Sequence, residues 1–179
     1  MTVEPINPGI VMRKAGATAI LFFLFQAILQ GCYSFTGGSL PVHLKTIAIP
    51  VFDDRSGAGI AQFRAELARG LVDRIESQSS LRFTPSIARA DALLEGAIIS
   101  FSDVPGQLSS TTERAMTNRI TLVVQVTMED RVKKTVLFTQ SFAGVADYPS
   151  GNSVAQQEAI RFALGQIVDG IFDRVVSGW

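Results

Sequence analysis

Between residues 120 and 129 the chain alternates with a period of two: Ile120, Leu122, Val124, Val126 and Met128 stand against Thr121, Val123, Gln125, Thr127 and Glu129. Successive strand side chains point to opposite faces, so this pattern predicts a strand in an antiparallel sheet with one face covered. Asp130-Arg131 is expected to turn this strand into its neighbour, in which Val136, Phe138 and Phe142 share one side. Two other segments carry the helical period instead. Ile60, Phe63, Leu67, Leu71 and Ile75 recur at spacings of three and four, which predicts a one-faced helix from about Gly59 to Ser77. Near the C-terminus Ile160, Leu164, Ile167, Ile171 and Val175 form a stripe that Val168, Phe172 and Val176 widen, with Asn152 or Ser153 placed to cap the helix.

The remaining elements are shorter. Thr46-Ile47-Ala48-Ile49-Pro50-Val51-Phe52 reads as a first strand, with Pro50 pointing to an edge or a bulge because proline cannot donate a ladder hydrogen bond. Asp53 to Gly59 reads as a loop, Leu81 to Pro85 as a short strand, and Ala90 to Phe101 as a turn and a further strand. The polar stretch from Asp103 to Asn118 reads as a long connection, of a kind that is either functional or disordered. The order of elements predicts an α+β two-layer sandwich: two helices packed on one face of a four- to five-stranded, mainly antiparallel sheet.

The N-terminus follows a different rule. Arg13 and Lys14 precede an apolar run from Ala15 to Leu29 that is too short for a spanning helix and ends in Gln30-Gly31-Cys32. A charged start followed by a short apolar stretch is the pattern of an export signal. Met12, directly before the charged pair, is an alternative start. Leu29-Gln30-Gly31-Cys32 resembles the lipobox of bacterial lipoproteins, with an aliphatic residue at minus three, a small residue at minus one and an acceptor cysteine. Cys32 is the only cysteine, so no disulfide within the chain competes for its sulfur. The expected organisation is a signal peptide over 1–31, a lipidated tether over 32–44 and a single α+β domain over 45–179.

The whole sequence holds 16 basic and 16 acidic residues, and loss of Glu4, Arg13 and Lys14 with the leader leaves one acidic residue in excess. A neutral domain gives no reason to expect nucleic acid as a partner. Catalytic constellations are also missing. His43 is the only histidine and lies in the tether, where it reads as a solvated linker residue, so neither a Ser-His-Asp triad nor a multi-histidine metal site can be built. Arg55-Ser56-Gly57-Ala58-Gly59 sits where phosphate loops occur but lacks the Gly-Lys-Ser/Thr ending, and it reads as a plain connection. Asp53 and Asp54, adjacent after a strand, point in different directions and suit turn formation and helix capping. The expectation is a non-catalytic protein without a cofactor. Arg131, Lys133 and Lys134 cluster at the predicted hairpin, where they could meet lipid phosphates or an acidic patch on a partner. The plainer reading of the same three is a solvated turn that protects the sheet end from aggregation.

The lipobox, Gly31-Cys32-Tyr33-Ser34-Phe35, Lys45 to Phe52 with its Asp-Arg-Ser loop, Ala90 to Gly96 and the closing helix together resemble the lipopolysaccharide-assembly lipoprotein family LptE. The resemblance implies a non-catalytic outer-membrane lipoprotein that sits within the LptD β-barrel, helps it fold and assists passage of lipopolysaccharide to the surface. Tyr33 after the cysteine, where Asp would favour inner-membrane retention in enteric bacteria, points by analogy to the outer membrane. The alternative function is a lipoprotein regulator of a periplasmic cell-wall synthase. Such proteins carry long tethers, whereas the dozen residues here reach about 40 Å at full extension.

Overall fold

A computed structural model of the chain describes residues 40–59, 61–108 and 115–177. The leader, Met12, Cys32 and the stretch 109–114 lie outside the described residues.

Six strands form one mixed sheet. In chain order they are β1 (Thr46–Ala48), β2 (Asp53–Asp54), β3 (Arg82–Phe83), β4 (Ala92–Leu108), β5 (Ala115–Asp130) and β6 (Thr135–Pro149). Helix α1 (Ala61–Gln78) lies between β2 and β3, and α2 (Ser153–Ser177) closes the chain. The sheet runs β3-β1-β4-β5-β6, with β2 also pairing to β4. β4, β5 and β6 are antiparallel neighbours, whereas β1 pairs parallel with β3 and β4, and β2 pairs parallel with β4. The fold is therefore the expected α+β sandwich with a mixed sheet. Its parallel part follows from α1, a crossover long enough to bring the chain back in its original direction.

The period-two stripe is the spine of the core. Ile120, Leu122, Val124, Val126 and Met128 are all fully buried, as are Leu67, Leu71, Ile75, Ile167, Ile171 and Val175 of the helices. Each such side chain contributes about 1.5–3 kcal/mol on leaving water. The helices lie side by side in the same direction, because Glu66 meets Arg161 and, eight residues on along both helices, Arg74 meets Asp169. Asn152 caps α2, its Oδ1 accepting the Ala155 N–H at 3.0 Å. A Cβ on Gly144 would collide with the backbone of Ala163, so the absence of a side chain lets α2 lie directly on β6. Gly96 makes the same allowance for the ring of Phe52.

Several boundaries differ from the sequence reading. β1 stops at Ala48 and is flanked on both sides, so Pro50 ends the strand rather than marking an edge; Phe52 is buried two residues later. The polar stretch 103–118 is mostly strand, since β4 continues to Leu108 and β5 begins at Ala115. The pattern was obscured because both faces of the strand are exposed at residues 104–106, so no buried stripe marks it. Val136 does not share the buried side of Phe138 and Phe142 and is 59% exposed. A register shift between Met128 and Glu129 inserts one extra residue in β6 and reverses the facing of everything before it.

Candidate functional site

Two polar clusters interrupt the apolar inner face, one at each end of the long strands. Both could be suspected from parity. Asp130 and Asn118 continue the buried even-numbered stripe of β5 at its two ends, and Tyr148 does so on β6.

At the hairpin end, Asp130 is 1% exposed. Its Oδ2 lies 2.5 Å from His43 Nε2, and its Oδ1 accepts the Lys133 N–H at 2.8 Å. Burial pushes its carboxyl up, but the Lys133 N–H and the His43 ring more than offset this, and the pKa falls below the usual carboxylate value. His43 is thus not a solvated linker residue. It bridges the chain just ahead of β1 to the end of β5, and the neighbouring Leu44 is 2% exposed. Periodicity carried no signal for this contact because its partners are 87 residues apart. Asp91 completes the arrangement: its Oδ2 accepts the N–H groups of Lys45 and Thr46 and the Thr46 hydroxyl at 2.9–3.0 Å. The Lys45 N–H is the largest cause holding the Asp91 carboxyl below its ordinary value.

Arg131, Lys133 and Lys134 form the β5–β6 turn, as the sequence predicted, and all three are exposed. Backbone hydrogen bonds tie the turn to the other strand ends: Arg131 N–H donates to Asp91 O at 2.8 Å, and Arg82 N–H donates to Lys45 O at 2.9 Å. The structure therefore adds Lys45 and Arg82, both exposed, to the three cations of the turn.

At the opposite end, Asp103 Oδ2 accepts the Tyr148 hydroxyl at 2.6 Å and Gln156 Nε2 at 2.7 Å, while its Oδ1 accepts Asn118 Nδ2 at 3.1 Å. Ser150 Oγ donates to Asn118 Oδ1 at 2.7 Å. Burial raises the Asp103 carboxyl, the Tyr148, Gln156 and Asn118 donors outweigh it, and the net shift is downward. Burial, then the bond to Asp103, pushes the Tyr148 hydroxyl up. Three strands and the first turn of α2 are fastened here through neutral partners.

Asp53 and Asp54 diverge as expected. Asp53 sits 3.8 Å from Arg55 in solvent, whereas Asp54 Oδ1 accepts the Ser56 N–H and hydroxyl. They lie in β2 rather than in a loop. Among the described residues, no group of three His, Cys, Asp or Glu is placed to hold a metal ion, and no helix is long and apolar enough to cross a membrane. At the hairpin end Asp91 and Asp130 thus lie beneath an exposed cationic rim.

The class is that of an α+β two-layer scaffold. The family model described as lipopolysaccharide-assembly, LptE, matches residues 44–175, and the chain belongs to this non-enzymatic lipoprotein family. No curated protein matches the chain significantly. Among solved structures, protein XCC0632 from Xanthomonas campestris is 12% identical, with 77% of this chain and 90% of that one covered at a TM-score of 0.53. Uncharacterized lipoprotein B from Nitrosomonas europaea is also 12% identical, with 77% and 84% covered and a TM-score of 0.50. Both share the fold.

Proposed function

We propose that this lipopolysaccharide-assembly lipoprotein is cleaved before Cys32, acylated there and held on the periplasmic face of the outer membrane. In that position it associates with the LptD β-barrel, assists the barrel's assembly and helps deliver lipopolysaccharide to the outer leaflet. The observation that carries this reading is the family match across 44–175, which spans both helices and all six strands. The Leu29-Gln30-Gly31-Cys32 motif supports the anchor. Arg131, Lys133 and Lys134 are the side chains assigned to anionic groups of lipid or partner, because guanidinium and ammonium donors at an exposed turn suit phosphate and carboxylate oxygens. The long strands and the polar, uncovered sheet face serve as the scaffold that a barrel lumen accepts.

The test is an affinity pull-down of tagged protein from detergent-solubilised outer membrane, with bound proteins identified by mass spectrometry. Recovery of a large β-barrel in near-equal amount is the expected result. Recovery of a peptidoglycan synthase instead would replace this reading with that of a cell-wall regulator, and recovery of no partner would overturn it.

A further inference from the structure

We propose that the hairpin end of the sandwich is a membrane-docking face, which rests on the anionic phosphates of the same leaflet that holds the protein's own lipid anchor. This deepens the preceding reading and rests on its assignment of Cys32 as the acylated residue.

Charge is the first support. Arg82, Lys45, Arg131, Lys133 and Lys134 lie on one rim, successive strand ends being joined by the backbone bonds from Arg82 to Lys45 and from Arg131 to Asp91. The acids of this end offset them only in part. Asp91 is engaged by the Lys45 and Thr46 N–H groups, Asp130 is buried against His43 and the Lys133 N–H, and Glu76 accepts the Phe83 N–H at 3.3 Å. Glu129, half-buried beside Asp130, borders the same hollow as Arg131 and Lys134 and offsets part of their charge. Five exposed cations therefore outnumber Glu76 and Glu129 at this end, while Asp130 is buried beneath them.

Apolar exposure is the second support, and it favours a membrane over a soluble acidic partner. Val132, at the tip of the turn between Arg131 and Lys133, is 57% exposed, and Val42, beside His43, is 81% exposed. Apolar side chains interleaved with lysine and arginine are the composition of a surface that sits in the headgroup layer. The turn also keeps a lysine where geometry prefers glycine: Lys134 has φ 57°, a left-handed conformation that disfavours a side chain. Strain retained at an exposed turn for the sake of one cation is a mark of use.

Reach is the third support. Leu40 already packs against the core, and His43 and Leu44 fix the chain at the hairpin end. Eight residue steps then lead from Cys32 to Leu40, and fully extended they span at most about 28 Å. β5 alone, with 16 residues, is about 50 Å long. An anchor at Cys32 thus keeps the hairpin end close to its leaflet and leaves the Asp103 end beyond the reach of the same tether.

The experiment places a fluorophore on Thr135→Cys or Val154→Cys in the full lipoprotein, whose acylated Cys32 does not react with the dye. Each protein is reconstituted in vesicles of phosphatidylethanolamine and phosphatidylglycerol containing a headgroup-labelled quencher lipid, and in matched phosphatidylcholine vesicles. Quenching is expected at Thr135 and not at Val154, and it should weaken on phosphatidylcholine and at high salt. In Arg131→Ser, Lys133→Ser and Lys134→Asn, each confirmed folded by circular dichroism, the docked-to-undocked ratio should fall about five-fold per cation removed. Equal quenching at both sites, or quenching at Thr135 indifferent to phosphatidylglycerol and salt, overturns the docking face. Quenching that emerges only with a barrel protein present assigns the rim to a protein and also overturns it. The mass of the purified chain is a separate readout: absence of the diacylglyceryl adduct on Cys32 overturns the anchor assignment itself.

Discussion

Each end of the sandwich holds a hydrogen-bonded carboxylate, fully buried Asp130 on β5 and half-buried Asp103 on β4, yet the two dispose of its charge in opposite ways. At the hairpin end Asp130 is answered by a histidine ring and a backbone N–H, and the lysines and arginines around it remain in solvent. At the far end Asp103 is answered by a phenol and two amides, all neutral, drawn from β5, β6 and α2. The hairpin end fixes the chain leading from the tether and keeps its cations free. The far end fixes the start of a helix. A buried acid is therefore not in itself a sign of a site; what matters is which of its neighbours are left without work.

Acid should break both ends together and gives the largest expected effect. The hydrogen bonds they accept hold the Asp91, Asp103 and Asp130 carboxyls below the ordinary aspartate range in the folded state. A depressed carboxylate contributes stability that is fully present above its unfolded pKa and is lost as pH falls through the folded one. Urea denaturation should thus show an unchanged midpoint down to about pH 5 and a progressive loss below about pH 4.

Asp130→Ala separates the ends. It leaves His43 and the Lys133 N–H without their buried acceptor and should cost about 3 kcal/mol in chemical denaturation. Amide exchange should accelerate at Leu44–Thr46 while the start of α2 stays protected. A variant that loses protection equally at both ends would show that the clusters are one cooperative unit. Asp103→Ala is the converse. It should cost about 1–2 kcal/mol, since its partners reach solvent more easily, and its loss of protection should fall on Tyr148–Gln156. Lys134→Gly gives the smallest effect and the opposite sign. Relief of the left-handed backbone should raise stability by about 0.5–1 kcal/mol while removing one cation from the rim. A thermal midpoint that falls would show that the lysine side chain makes a stabilising contact.

Much of the fold was legible because its signals are local. The β5 stripe, the two helical stripes and the Asn152 cap are patterns within about twenty residues, and each is where periodicity put it. The hairpin cations were legible for the same reason, as an exposed run next to an Asp turn. The extent of β4 and β5 was not, because a strand exposed on both faces near its tip carries no buried stripe to tell it from a loop. The mixed character of the sheet was missed because β1, β2 and β3 hold three residues or fewer, too short for any period to register.

By itself the sequence determined the element types, the faces they bury, the absence of a catalytic set and the family, since all of these follow from residue type and short-range spacing. Only the tertiary structure decided that His43 holds Asp130, that Lys45 and Arg82 join the hairpin cations, and that Asp103 reaches Gln156. Those choices depend on which strands become neighbours, and contacts between residues 37 to 87 positions apart are set by global packing rather than by any local pattern.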